Sequence, residues 1–188
     1  GGECGIGTES TIIALAETPF KILRPGALAA DEIAARLAAD MYIVGLTGGS
    51  GTGKTTALNV LRGMGAVCID ADELYHTITR TSQEMKREII SRFGEVYDGD
   101  TLNRKQLGNV VFSDPAALAD LNAITHKYVS SETNRILREA AMNGVTLAAL
   151  DAIGIFEGGA DKLCAAVFGV IAPREVRIER LIAREGIS

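Results

Sequence analysis

Short apolar runs alternate with longer segments of helical periodicity over most of the chain. The apolar runs predict strands at 41–46, 66–69, 145–150 and 165–172. Apolar residues spaced three and four apart predict helices at 54–62, 73–93, 116–142 and 174–183. Strands that alternate with helices are typical of a parallel sheet with helices on both faces. We therefore predict an α/β fold, with a largely helical insertion between the second and third of these strands.

The first forty residues follow a different pattern. A glycine-rich start precedes two short β-prone stretches at 11–15 and 21–23, and Arg24-Pro25-Gly26 breaks the second. Asp31 is a candidate N-cap for a short helix that ends near Asp40. Because a new apolar run opens at Met41, we predict a boundary there, with one unit at 1–40 and another at 41–188.

Composition and charge narrow the classes of function. The chain has 188 residues, is 47% apolar and carries a net charge of −5, which disfavours a general nucleic-acid binder. No apolar run approaches the roughly 20 residues of a membrane helix. Cysteines 4, 68 and 164 are odd in number and widely spaced, which disfavours a disulfide framework or a zinc site. We therefore expect a cytoplasmic protein.

A complete phosphate-binding motif lies between the first buried strand and the helix that follows it. Residues 48–55 read GGSGTGKT and match GxxxxGK[ST]. Glycines let the backbone N–H groups surround a phosphate, and the helix N-terminus favours the same anion. Lys54 would neutralise the outer phosphates, and Thr55 would offer a hydroxyl to Mg²⁺. The predicted ATP-binding residues are Gly48, Gly49, Ser50, Gly51, Thr52, Gly53, Lys54, Thr55 and Thr56.

Acidic residues stand where two other predicted strands end. Asp70 and Asp72 follow the second strand of the sheet, and Asp151 follows the third. Because ligands of parallel sheets bind outside the carboxyl ends of the strands, we expect these carboxylates to share one crevice with the phosphate loop. A GTPase would usually carry an NKxD motif, and an ATPase switch would place a second acid directly after Asp151; neither pattern is visible. The short spacing from Lys54 to Asp72 favours a small-molecule kinase.

Residues 41–188 resemble the dephospho-CoA kinase family, which phosphorylates the ribose 3′-hydroxyl of dephospho-CoA with ATP. The resemblance is carried by ordered motifs: IVGLTGG before the loop at 43–49, IDAD at 69–72 with His76 after it, LNR at 102–104 with Val111-Phe112, LNAITH at 121–126, DAIGIFE at 151–157, and the pair Arg180 and Arg184. It implies a P-loop NTPase-type sheet with a helical acceptor-binding insertion, and Mg²⁺ as cofactor.

The resemblance also implies roles for individual residues. Asp72 would be the catalytic base or orient the hydroxyl, together with Lys54 on the phosphate side, and Arg180 and Arg184 would contact ATP. The acceptor-binding residues would be Asp70, His76, Arg104, His126, Asp151 and Glu157.

Each role has a structural alternative. Asp72 or Asp70 could serve as a helix N-cap, and Arg104, Arg180, Arg184 and Glu157 could be solvated surface charges. A lone histidine is often only structural, which applies to His76 and His126.

The sequence departs from the family pattern at three places. Lys127 stands where the family often has proline, and Ile153-Gly154 replaces Pro-Leu. The family's lid would begin near Ser188, so we expect the lid and C-terminal helices to be missing and activity to suffer. Two alternatives therefore stay open: another small-molecule or nucleoside monophosphate kinase, or a nucleotide-binding module without turnover.

Residues 1–40 are similar to the C-terminal end of a threonylcarbamoyl-AMP synthase domain. The similarity lies in GTESTII at 7–13 and ILRPGA at 22–27, with Ser10 and Arg24 on nucleotide-site motifs. Only the tail of that domain is matched, so we expect no synthase activity. The parent protein would be a fusion of the two enzymes, or these residues would be an upstream gene read through.

Overall fold

The computed structural model describes residues 9–186 and contains a four-stranded parallel sheet with helices on both faces. The elements in chain order are β1 (Ile12–Ala14), β2 (Lys21–Arg24), α1 (Ala30–Ala39), β3 (Tyr42–Thr47), α2 (Lys54–Gly63), β4 (Val67–Asp70), α3 (Ala71–Thr81), α4 (Gln83–Phe93), β5 (Tyr97–Asp98), β6 (Thr101–Leu102), α5 (Arg104–Val111), α6 (Pro115–Met142), β7 (Leu147–Asp151), a 3₁₀ turn (Ala160–Leu163), β8 (Ala166–Gly169) and α7 (Arg174–Glu185). The α/β prediction is confirmed.

The parallel sheet has the order β4-β7-β3-β8. The two central strands, β3 and β7, are buried over most of their length, which explains why they appear in the sequence as continuous apolar runs. Gly45 in β3 leaves room for a neighbouring side chain, because a Cβ there would lie 2.7 Å from Ile155 Cδ1. The ends of β3, β4 and β7 lie side by side, and the loops that follow them form the candidate site.

A second core lies between the helices of the insertion. Met85, Ile89 and Val96 are almost completely buried there, among side chains from α3, α4, α5 and α6. Helix α6 begins as the sequence predicts, with Asp114 accepting from Ala116 N and proline in its first turn. Lys127 continues α6 and pairs with Glu88 on α4, Nζ to Oε2 2.7 Å. This insertion forms a wall beside the strand ends.

The predicted helical stretch 73–93 is divided into two helices, α3 and α4. Ser82 adopts an extended conformation between them, with ψ at 105°. Its N–H donates to Ile78 O at the end of α3, and its Oγ accepts from Met85 N at the start of α4. One serine therefore ends one helix and caps the next, which a continuous helical periodicity conceals.

The N-terminal residues form the antiparallel pair β1–β2 followed by α1, which packs against α6. The expected N-cap at Asp31 is wrong. The N-cap is Ala29, whose N–H donates to Glu32 Oε2, and Asp31 lies in the first turn. The Asp31 carboxylate instead accepts two hydrogen bonds from Arg138 on α6, each 3.0 Å long. Asp31 is therefore paired with a neighbouring helix and does not cap its own.

Two further expectations concern the membrane and the cysteines. Within residues 9–186, no helix combines the length and the apolar character needed to cross a bilayer. Cys68 and Cys164 are free thiols, whereas Cys4 lies outside the described residues, together with Gly7 and Thr8.

Candidate active site

The phosphate loop connects the end of β3 to the start of α2. Gly48, Gly51 and Gly53 have φ values of 147°, 78° and 108°, a region that favours glycine. At Gly48 space is also limiting, because a Cβ would lie 2.4 Å from Val170 O. Lys54 opens α2 and its Nζ donates to Gly48 O at 2.7 Å. The loop is therefore folded around its own lysine, with the helix N-terminus beneath it.

Helix α7 forms the outer wall of this loop. Arg180 Nη1 donates to Gly51 O and to Thr52 O, both at 3.2 Å. A cavity of about 280 Å³ lies between loop residues 49–56 and α7, and it is also lined by Arg180, Leu181 and Arg184. The structure thus brings both predicted ATP-side arginines to the loop.

Arg177, which the sequence analysis did not single out, also contacts the loop. Its Nε donates to Ser50 O at 3.0 Å. Arg177 and Arg180 are three residues apart on α7 and therefore share a helix face. That spacing was visible in the sequence and could have identified Arg177 as a companion of Arg180.

Asp70 and Asp72 occupy different environments at the end of β4. Asp70 is the N-cap of α3, and its Oδ1 accepts from the backbone N–H groups of Asp72 and Glu73, both at 3.0 Å. The capping alternative therefore applies to Asp70. Asp72 lies exposed in the first turn of α3 and lines two cavities.

Asp151 ends β7 in register with Asp70 on β4. It is 8% exposed, and its Oδ1 has no hydrogen-bond partner within the described residues. Burial raises the pKa of this carboxyl, Lys54 lowers it, and Asp70 and Asp72 raise it further. Asp151 therefore lies under the influence of both the loop lysine and the acidic pair.

A largely apolar cavity of about 330 Å³ lies between α3, α6 and the segment after β7. Its walls include Tyr75, Leu121 and Val129, and its polar groups include Asp72 and His126. Both apolar and polar groups are typical of the walls of small-molecule sites.

The segment after β7 forms one rim of this cavity. Gly154 lines it, and Glu157 is close by, since a Cβ at Gly154 would lie 3.5 Å from Glu157 Oε2. Ile153 O accepts from Thr47 Oγ1 at 3.1 Å, which ties this rim to the end of β3. A side-chain hydroxyl of β3 therefore holds the backbone at Ile153, where the sequence departs from the family pattern.

A second cavity, of about 560 Å³, lies on another side of Asp72. His76 and Arg104 line it, and Arg104 Nη2 lies 2.8 Å from His76 Nδ1. The same Nη2 lies 3.4 Å from His76 Nε2, so the guanidinium is next to both ring nitrogens. The pair places a guanidinium, well suited to phosphate recognition, beside the candidate base.

Sequence comparison with known proteins points to one family. The family model described as dephospho-CoA kinase matches residues 42–188. The dephospho-CoA kinase of Syntrophotalea carbinolica is 37% identical, covering 79% of this chain and 71% of its own length. That of Anaeromyxobacter dehalogenans is 41% identical over the same shares.

A solved structure has a similar fold. The crystal structure of TT1252 from Thermus thermophilus superimposes with a TM-score of 0.63 at 32% identity, covering 79% of this chain and 74% of that one. Sheet, phosphate loop and sequence similarity thus converge, and this chain belongs to the dephospho-CoA kinase family.

Proposed function

We propose that this chain transfers the γ-phosphoryl group of ATP to the ribose 3′-hydroxyl of dephospho-CoA, giving coenzyme A and ADP. The observation that carries the proposal is the position of Asp72. Its carboxylate lines both acceptor-side cavities. It raises the pKa of Asp151, which Lys54 of the phosphate loop lowers. A carboxylate at the wall of an acceptor cavity can take the proton of an attacking hydroxyl.

The donor side uses the loop and α7. Backbone N–H groups of residues 48–55 would hold the phosphates, and Lys54 would leave Gly48 O to neutralise the outer oxygens. Arg180 and Arg184, which line the same cavity, would add charge there. Thr52 Oγ1 donates to Gly49 O at 2.9 Å, which supports the loop from within.

The acceptor side supplies the base. The ribose 3′ oxygen would attack the γ-phosphorus while Asp72 accepts the proton of that hydroxyl. The bond from the γ-phosphorus to the β–γ bridging oxygen would break, and ADP would leave. Asp70 would act indirectly, because its carboxylate already holds the first turn of α3. Arg104 and His76 would bind acceptor phosphate, while His126 and Glu157 would line the neighbouring cavity.

The residues present fit a magnesium ion at the phosphate side. Within the described residues, no group of three or more His, Cys, Asp or Glu side chains is arranged to hold a metal. Mg²⁺ commonly binds through one or two protein oxygens together with substrate phosphates. The unpartnered Oδ1 of Asp151 and the hydroxyl of Thr55 would supply such oxygens. The ion would contribute neutralisation of phosphate charge.

The test is a direct assay with ATP, Mg²⁺ and dephospho-CoA, in which AMP, CMP and shikimate are offered as competing acceptors. We expect mass spectrometry to find coenzyme A with the new phosphate at the 3′ position. Phosphorylation of a competing acceptor in preference to dephospho-CoA would contradict the assignment, and so would hydrolysis of ATP alone.

We further infer that residues 1–40 derive from the end of a threonylcarbamoyl-AMP synthase domain in a fusion. The support is local: Arg24 Nε and Nη2 both donate to Ser10 O, and Nη2 also donates to Ser10 Oγ. No synthase activity is expected. Formation of threonylcarbamoyl-AMP from ATP, threonine and bicarbonate by this chain would contradict that expectation.

We also place the chain in the cytoplasm, where ATP and reduced thiols coexist. The free state of Cys68 and Cys164 supports this location. Recovery of the protein in the membrane or secreted fraction of its source cells would contradict it.

A further inference from the structure

Helix α7 contacts the phosphate loop at its back, through Arg177. The Arg177 side chain is half-buried and donates from Nε to Ser50 O. The helix backbone is equally close, because a Cβ at Gly51 would lie 2.8 Å from Arg177 O. A Cβ at Gly49 would lie 2.7 Å from Arg177 Nη2. Three successive loop residues are therefore in direct contact with one arginine.

We propose that Arg177 is a positioning residue that presets the loop for the phosphates of a nucleoside triphosphate. The argument rests on the planarity of the peptide group. In a trans peptide, the carbonyl of one residue and the N–H of the next point in opposite directions. When Arg177 holds the Ser50 carbonyl, the Gly51 N–H must point away from the Arg177 guanidinium, which does not line the phosphate cavity.

Arg180 extends this arrangement to the next two peptide groups. It holds the carbonyls of Gly51 and Thr52 and so fixes the planes of the two peptide groups that carry the N–H groups of Thr52 and Gly53. The two arginines differ in their access to ligand. Arg180 lines the phosphate cavity and can also contact ATP, whereas Arg177 acts through the Ser50 peptide. A loop with preset N–H groups loses less conformational freedom on binding, which strengthens binding.

This inference rests on the proposed function only in that the loop binds ATP. The first test therefore measures ATP binding by calorimetry in the presence of Mg²⁺ and without acceptor. Replacing Arg177 by Gln should raise the Kd for ATP roughly fivefold to tenfold, the range expected when a charged hydrogen-bond donor is exchanged for a neutral amide donor. Arg177→Lys should recover part of the affinity, because its ammonium is again a charged donor.

Arg174→Gln is the matched control. It lies on the same helix, is exposed and removes the same charge, so its Kd should stay within about twofold of the parent value. In the kinase assay, Arg177→Gln should raise KM for ATP and leave KM for dephospho-CoA within about twofold. An equal rise in both KM values would indicate general damage and overturn the positioning role.

Gly49→Ala provides an independent route to the same loss. The new Cβ would push the Arg177 guanidinium away, and the φ of Gly49 is not in the region that favours glycine. If the change acts through Arg177, it should weaken ATP binding in the parent chain and add almost nothing in the Arg177→Gln background.

The outcomes separate this inference from the proposed function. Additive effects of Gly49→Ala and Arg177→Gln would overturn the inference, as would an unchanged Kd in Arg177→Gln, an equal loss in Arg174→Gln, or failure of the parent chain to bind ATP. Normal ATP binding with the expected variant pattern but no coenzyme A would refute the proposed function and leave the role of Arg177 intact.

Discussion

Asp70 and Asp72 belong to the same motif but do different work, because α3 begins between them. The Asp70 carboxylate is occupied by two backbone N–H groups of the first turn. Asp72 projects from that turn beside both acceptor-side cavities. A cap fixes the direction of a helix, and here it also fixes the direction in which the proposed base points.

This division of roles predicts the behaviour of two matched variants. Asp72→Asn should lower kcat by about 10²-fold or more, the loss typical of a missing general base, while the Kd for ATP stays nearly unchanged. Asp70→Asn should fold with parent stability, because asparagine caps helices as well as aspartate does. Single-turnover kinetics and ATP calorimetry on Asp72→Asn, and thermal unfolding of Asp70→Asn, test this. Parent activity in Asp72→Asn would remove that residue from its role.

Asp151 predicts a dependence of stability on pH. Burial raises its pKa in the folded state, so the folded chain binds this proton more tightly than the unfolded chain. The free energy of unfolding then falls as pH rises from the unfolded pKa through the folded one. Asp151→Asn, which carries no ionisable proton, should be more stable than the parent at neutral pH, and the difference should shrink at acidic pH.

Thermal unfolding of the ligand-free proteins across this pH range measures the effect. A constant difference in Tm between Asp151→Asn and the parent at all pH values would contradict the prediction.

At the scale of elements, periodicity and motifs predicted most of what positions the site. The buried strands, the loop and the start of α6 at Asp114-Pro115 all follow from local rules that need no partner. The break at Ser82 and the position of Asp31 did not follow. Ser82 interrupts an otherwise helical pattern, and Asp31 is held by Arg138, 107 positions away.

The same distinction applies to the candidate site. The loop and the acids at the strand ends were visible because a motif and a topological rule place them. The contact of Arg177 with Ser50, and the pairing of His76 with Arg104, join residues that are distant in sequence. Spacing along one helix can suggest such an arginine but does not identify the backbone oxygen that it binds.

The double role of Ser82 gives a prediction for the insertion. Ser82→Ala removes the Oγ acceptor for Met85 N and should lower the free energy of unfolding by about 0.5–2 kcal/mol, as expected for a lost N-cap. Ser91→Ala, an exposed position within α4, should have almost no effect. Urea unfolding of the two variants compares them, and equal stabilities would mean that the cap contributes nothing.

At the scale of the whole molecule, the two ends of the parallel strands have different neighbours. The loop and the acids lie where β3, β4 and β7 end. The N-terminal residues lie near the opposite end of the sheet, where the strands begin. There Phe20 N donates to Met142 O, shortly before β7 starts. Helix α1 continues this contact along α6, with Ile33 buried and Arg138 paired to Asp31. The contact made by the N-terminal residues and the candidate active site therefore lie at opposite ends of the strands.

This separation predicts that damage to the α1 contact lowers stability and spares catalysis. Ile33 is 6% exposed, and Ile33→Ala should cost about 2 kcal/mol, the lower end for truncating a buried aliphatic side chain, because α1 is peripheral and can partly close the gap. Leu23→Ala, at a side chain 65% exposed in β2, should change little. If α1 shares its core with the kinase part, Ile33→Ala should move one cooperative unfolding transition as a whole, with kcat and both KM values unchanged at a temperature where the variant is folded. A separate early transition would instead show that residues 9–40 unfold alone. A fall in kcat while the sheet stays folded would show that the α1 contact and the candidate active site are coupled.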